Sequence, residues 1–354
     1  MRLLPTILGA ALAATAAQAA LSPDQIEKHH HERRKLGKRA EAVVGSPEGF
    51  AASATGGAAG STVYPTTTDE LVDYLSSDEP LTVVLTKTFD FTSTEGTVTG
   101  TGCAPWGTAS ACQVAIDQNS WCENYEPDAP SVTVSYYAAA TLGISITSDK
   151  SLIGSGSAGI IKGKGIRIVS GASNVIVQNI EITNLNPKYV WGGDAITLND
   201  CDLVWIDDGS QDLVTLKGNY IHHFSGRSPK VAGNTLLHAV NNYWYDYSST
   251  GHAFEIDSGG YVLVEGSVFQ NVPIELDSSV GGKYFTSPDS TSNAKCSTYL
   301  GRSCQINGFG SSGTFSSSDT SFFSDFSGKT IASAETYSWV QSNVISEAGI
   351  GVVD

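Results

Sequence analysis

Methionine is almost missing from this 354-residue chain, which has only Met1. It also has no apolar run of the roughly 20 residues that a membrane-spanning helix requires. No long 3.6-residue hydrophobic periodicity appears, so helices do not supply the main architecture. Cations are scarce: 20 Lys and Arg stand against 36 Asp and Glu, a net charge of −16. That balance argues against nucleic acid and anionic membranes as partners, since both are polyanions. No Asn-x-Ser/Thr triplet occurs, so N-glycosylation is not expected. Gly, Ser, Thr and Asn are plentiful, between short runs rich in Val and Ile. The class is all-β, and the length suffices for one large domain with a full core.

The N-terminus reads as a targeting segment, with Arg2 as the positive end, an apolar stretch at 3–17 and the small-residue site AQA at 17–19. The charged segment that follows ends in the dibasic pair Lys38-Arg39. The expected division is a signal peptide at 1–19, a propeptide at 20–39 and one domain at 40–354, in a secreted, extracellular protein. His29, His30 and His31 fall in the part to be discarded and are assigned no site. Residues 1–39 hold 7 of the 20 basic and 3 of the 36 acidic residues, which leaves 13 against 33, or −20. Six cysteines in a secreted chain imply disulfides, although the count does not give their pairing.

Four segments share one template: VIVQNIEI from Val175, VTLKGNYI from Val214, LHAVNNYW from Leu237 and VLVEGSVF from Val262. Each is apolar at its first, third and eighth positions, with Gly or Asn at the fifth. Alternation followed by a kink reads as strand, bend, strand. The last three starts lie 23 and 25 residues apart, the length of a solenoid coil. Coils of this kind bury their apolar face only against their neighbours. A single-stranded right-handed parallel β-helix therefore fits better than a β-sandwich, which would not repeat one eight-residue template. Val175, Val177, Val214, Leu216, Val262 and Val264 are expected to be buried.

One further start, Val204 in VWIDD, lies only 10 residues before Val214. No coil closes in that length, so the repeat fails between Ile206 and Asp212. Just beyond it stands SGRSPKV at 225–231, an Arg-x-x-Lys pair pinned by a proline in an otherwise acidic chain.

These residues resemble the fungal pectin lyases of polysaccharide lyase family 1. The resemblance rests on NLNPKYVWGGDAITL at 184–198, SGRSPKV, NTLLHAVNNYW at 234–244, GHAFEI at 251–256 and CSTYLGRSCQINGFGSSGTF at 296–315. It covers nearly all of the chain after residue 39. It implies a right-handed parallel β-helix that cleaves methyl-esterified polygalacturonan (pectin) by β-elimination, without a cofactor, and it suggests a monomer. It also implies that about two coils are missing between Asp207 and Gly209, as if an exon had been skipped. With coils stacked about 4.8 Å apart, that loss displaces groups on either side by roughly 10 Å. About 1 Å of misplacement already costs some hundredfold in rate.

By the same resemblance Arg227 is the base, Lys230 faces the uronyl group, and Asp194 lies in the cleft as a polar partner of the cationic group. Arginine is an unusual base, because its pKa lies above about 12. Trp106, Trp121, Tyr125 and Trp191 match positions that bind sugar. Flat aromatic faces suit an esterified, weakly charged polymer. Cys103 with Cys122, and Cys296 with Cys304, match family disulfides, while the usual partner of Cys112 lies on the missing stretch.

A calcium-dependent pectate lyase would need several carboxylate ligands in the cleft, and only Asp194 is well placed. A hydrolase of similar fold needs clustered carboxylates, and no such cluster or metal-ligand spacing is found. The missing coils leave a catalytically dead pectin-binding remnant as a third reading.

Overall fold

The computed structural model describes residues 42–110, 112–205, 212–223, 226–247 and 251–348. The expected signal peptide, propeptide and the join between Asp207 and Gly209 lie outside the described residues.

The template's physical basis is visible at its fifth position. Asn179, Gly218, Asn241 and Gly266 all adopt positive φ, at 56°, 70°, 56° and 58°. Gly and Asn tolerate this left-handed conformation best, so each bend turns the chain from one face of the coil to the next. At the sixth position a polar ladder links successive coils. The Asn219 amide donates to Asn242 Oδ1 (3.0 Å), that of Asn242 to Ser267 Oγ (3.1 Å), and that of Ser267 to Asn307 Oδ1 (2.8 Å). Backbone donors at the bend are thereby satisfied from the next coil.

The strands stack in parallel on three faces, as expected. In the N-terminal half the first face orders strands 61–63, 81–85, 150–154, 166–178 and 196–205. Strand 166–178 turns a corner, with a register shift between Val169 and Ala172. Its first part pairs with 144–146 and with Ile196 to Asn199 to form the third face. Strands 88–90, 160–162 and 181–183 make the second face. In the C-terminal half the first face is 212–217, 235–240, 260–265 and 283–285, and the second is 220–222, 243–245, 268–270 and 308–310. Strands 230–231 and 255–256 form the third. Template positions stack as the repeat demands: Val214 on Leu237 on Val262, and Leu216 on Ala239 on Val264. Outside the solenoid, strands 97–103 and 131–137 pair antiparallel and carry 114–116 on their edge.

The failed repeat corresponds to a break in the ladder. Among the described residues, strand 196–205 pairs only with 166–178, and 212–217 only with 235–240. The interior is divided in the same way, into one cluster around Val83, Leu152, Ile166 and Val175 and another around Leu237, Trp244, Val262 and Phe269. Val175, Val262 and Val264 are buried as expected, whereas Val177, Val214 and Leu216 are only partly buried. Val214 and Leu216 lie on strand 212–217, which among the described residues is paired on one edge only, and Val177 lies just past Ile176, the last residue of its strand that pairs with 196–205. A coil in this fold has no other source of burial.

An N-terminal strap, residues 43–60, reaches both halves. The Gln178 amide bonds both to N–H and to C=O of Val44, each at 2.8 Å. Asn174 Oδ1 accepts from Thr55 and Gly56. Farther along, the Phe50 amide donates to Thr215 Oγ1 (3.3 Å), and Glu48 pairs with Lys217 (2.6 Å). At the N-terminal end of the solenoid, helix 68–76 is capped by Thr67, which accepts from the Glu70 amide, and it buries Leu71 and Leu75. Among the described residues no helix is long and apolar enough to cross a membrane.

Candidate active site

Strand 230–231 and the residues before it hold both cations of the Arg-x-x-Lys pair, and the coil register decides what they meet. Lys230 lies directly across from Glu255, and Arg227 across from His252. Arg227 Nη1 is 3.2 and 3.3 Å from the two oxygens of Glu255. Lys230 Nζ bonds to Glu255 Oε1 and lies 2.7 Å from Asp257. Burial opposes the charge on Glu255, but Lys230 and Arg227 outweigh it and hold the carboxyl below its usual range. Burial also opposes the Lys230 ammonium, yet Asp257 and Glu255 raise its pKa above the ordinary value. The backbone here is pinned from behind, where Trp244 Nε1 donates to Ser228 O (2.8 Å) and the Tyr247 hydroxyl bonds to that of Ser228.

Asp194 is not brought to this pair. It is exposed and makes no ion pair with Arg227 or Lys230. Asp194 precedes the third-face stretch of the N-terminal half, and the cations occupy the third face of the C-terminal half. Among the described residues no strand pairing joins those two halves. Glu255 and Asp257 take the place as anionic partners that Asp194 was expected to fill. Sequence reasoning missed both, although the 25-residue coil spacing, applied to Lys230, points at Glu255. The His252 ring lies 3.5 Å from Glu255 on the same side.

The four aromatics do come together, although they arise from separate stretches of chain. Trp121 stacks on Trp106 (ring centroids 6.3 Å apart) and on Tyr125 (6.2 Å), and meets Trp191 edge-on at 5.9 Å. Trp106, Tyr125 and Trp191 remain 46 %, 71 % and 39 % exposed. Large aromatic surface left open to water is available to an amphipathic ligand. The Cys103–Cys122 disulfide ties the short helix 121–125, with Trp121 and Tyr125, to strand 97–103. Trp191 follows strand 189–190, which pairs with 114–116.

The Cys296–Cys304 disulfide is also formed. Cys112 is a free, half-exposed thiol and Cys201 is buried in the N-terminal core. Among the described residues no group of three or more His, Cys, Asp or Glu is arranged to hold a metal ion.

A parallel β-helix with an outward Arg–Lys pair and an open aromatic stack places the chain among the β-solenoid proteins. No protein-family model matches the chain, but curated relatives are close. "Probable pectin lyase A" of Neosartorya fischeri is 60 % identical, over 89 % of this chain and 96 % of its own length. Pectin lyase B of Emericella nidulans is 59 % identical over 88 % and 95 %, and pectin lyase A of Aspergillus niger 60 % over 87 % and 94 %. The chain belongs to the fungal pectin lyases. The first alignment runs over 363 positions but takes in only about 315 residues here (89 % of 354), so about 48 positions have no counterpart in this chain. At 23 to 25 residues per coil that is two coils. Among solved structures, a pectate lyase from Acidovorax avenae subsp citrulli is 13 % identical, covering 90 % of this chain and 97 % of its own at a TM-score of 0.49.

Proposed function

We propose that this chain cleaves methyl-esterified polygalacturonan by β-elimination at the Arg227–Lys230 site, as a secreted monomer. The observation that carries the reading is the outward pairing of these cations on one coil face in a chain of net charge −16. Such a chain repels a polyanion, and an esterified polymer removes most of that repulsion.

In the reaction the base takes the proton from C5, which is acidified by the neighbouring ester carbonyl. The released electron pair forms the C4=C5 double bond as the C4–O4 bond breaks, and the departing oxygen takes up a proton. Arg227 is assigned the base and Lys230 the stabilisation of charge developing on the uronyl group. Asp194 and the Trp106, Trp121, Tyr125 and Trp191 stack line the path of the polymer on the N-terminal half.

The test is ultraviolet detection of unsaturated uronides from esterified and de-esterified substrate, with and without EDTA. Activity on the esterified polymer that survives EDTA is expected; loss in EDTA favours a calcium-dependent pectate lyase. Arg227→Lys should lower turnover by about 10²–10⁴-fold, the usual contribution of a general base, because lysine lacks the planar fork. Normal turnover in that variant removes Arg227 from the role. Pectin binding with no product at all favours the dead remnant, a reading motivated by the break between Asp194 and the cations.

A further inference from the structure

We propose that Glu255 is the positioning residue of the Arg227–Lys230 pair: it holds both cations in one place and, through Lys230, shapes the pH dependence of the site. The inference rests on the lyase reading of this site and extends it to a residue on the neighbouring coil.

Glu255 is well placed for this role. Its side chain is 16 % exposed, against 31 % for Arg227 and 41 % for Lys230. One oxygen serves both cations, while the other reaches Arg227 (3.3 Å) and His252 Nε2 (3.5 Å). The ladder imposes the arrangement, since Lys230 and Glu255 are register partners on the same outward side. A flexible lysine and a long arginine are thereby restrained by a single anchor that is itself fixed in a strand. The position of a reacting group within about 1 Å is worth some hundredfold in rate.

The other charged and titratable groups facing the pair are few. Asp257, on the same strand as Glu255, pairs with Lys230. His252 faces Arg227 and lies within electrostatic reach of Asp277 on the following coil. The Tyr247 phenol, which burial pushes well above its ordinary range, bonds to Ser228 between the cations. Among the described residues no strand pairs with the other edge of 230–231.

A carboxylate at this range favours the charged form of the lysine. That keeps Lys230 an ammonium, which the enolate-like charge requires. Removing the charge of Glu255 should ease deprotonation of Lys230 and so move the Lys230-dependent limb of the activity profile to lower pH.

The experiment compares the parent, Glu255→Gln and Glu255→Asp by kcat and KM across pH on esterified pectin. In parallel, NMR of dimethylated, isotope-labelled lysines follows the Lys230 titration, with Lys230→Arg assigning the signal. For Glu255→Gln the profile is expected to move to lower pH, with kcat reduced more than KM is raised. The Lys230 titration should fall with it, and Glu255→Asp should recover part of both. A residue that only supports the fold would lower activity without moving either. A Lys230 titration that does not move overturns the inference whatever the activity, as does an unmoved pH profile in an active enzyme. If the parent yields no unsaturated product on any substrate, the lyase reading fails, and the Lys230 titration alone decides whether Glu255 holds the pair.

Discussion

Glu265→Gln should unlock the docking of the C-terminal loop onto the solenoid, and the size of the effect follows from the geometry. Glu265 ends strand 260–265 with its side chain wholly buried. It meets His238 Nε2 at 2.7 Å and accepts from Arg302 Nη2 (2.7 Å), Arg302 Nη1 (2.9 Å) and the Gln305 amide (2.9 Å). Arg302 lies in the loop closed by Cys296–Cys304, so the carboxylate ties that loop to the first face. Burial opposes the charge, but His238 and Arg302 outweigh it and bring the pKa from 4.5 to about 2. At 1.36 kcal/mol per unit this corresponds to about 3 kcal/mol. Breaking a buried pair by removing one partner typically costs about 3–5 kcal/mol, which agrees. Because the folded-state pKa is depressed, the stabilisation is complete above about pH 4.5 and is lost as pH falls towards 2. Urea unfolding of parent and Glu265→Gln between pH 7 and pH 2.5 should therefore show a gap of about 3 kcal/mol at neutral pH that closes in acid. A gap that stays constant across the range would refute the reasoning.

The strap across the break offers a second test. Gly49 has φ +66°, and a Cβ there would lie 2.4 Å from Thr215 Oγ1. Gly49→Ala should cost roughly 1–2 kcal/mol from the left-handed backbone alone, more with the clash, and should lower the melting temperature. Cys112 should react with a thiol reagent in the native protein, and Cys112→Ser should abolish that labelling. Inserting the two coils of a relative after Asp207 should cover Val214 and Leu216. The gain is expected at roughly 1 kcal/mol or more per side chain brought from half to full burial, read as a higher denaturation midpoint. An unchanged midpoint would mean that the shortened solenoid already satisfies its exposed coil faces.

The sequence by itself determined the coil. Alternating Val, Leu and Ile set the strands, and Asn179, Gly218, Asn241 and Gly266 set the bends, because side-chain alternation and tolerance of positive φ are local properties. It also located the defect, since ten residues between Val204 and Val214 cannot traverse three faces. The tertiary structure decided the partnerships. Glu255 meets Arg227 and Lys230 because coil length and register place it there, and Asp194, prominent in its own motif, stands in the N-terminal half, which among the described residues shares no strand pairing with the coils of the cations. The aromatic stack depends in the same way on strand 189–190 joining 114–116 and on a disulfide that anchors Trp121. A strand's conformation is encoded in its own residues. Which charge or ring lies one coil away is fixed only when neighbouring coils bury each other's faces.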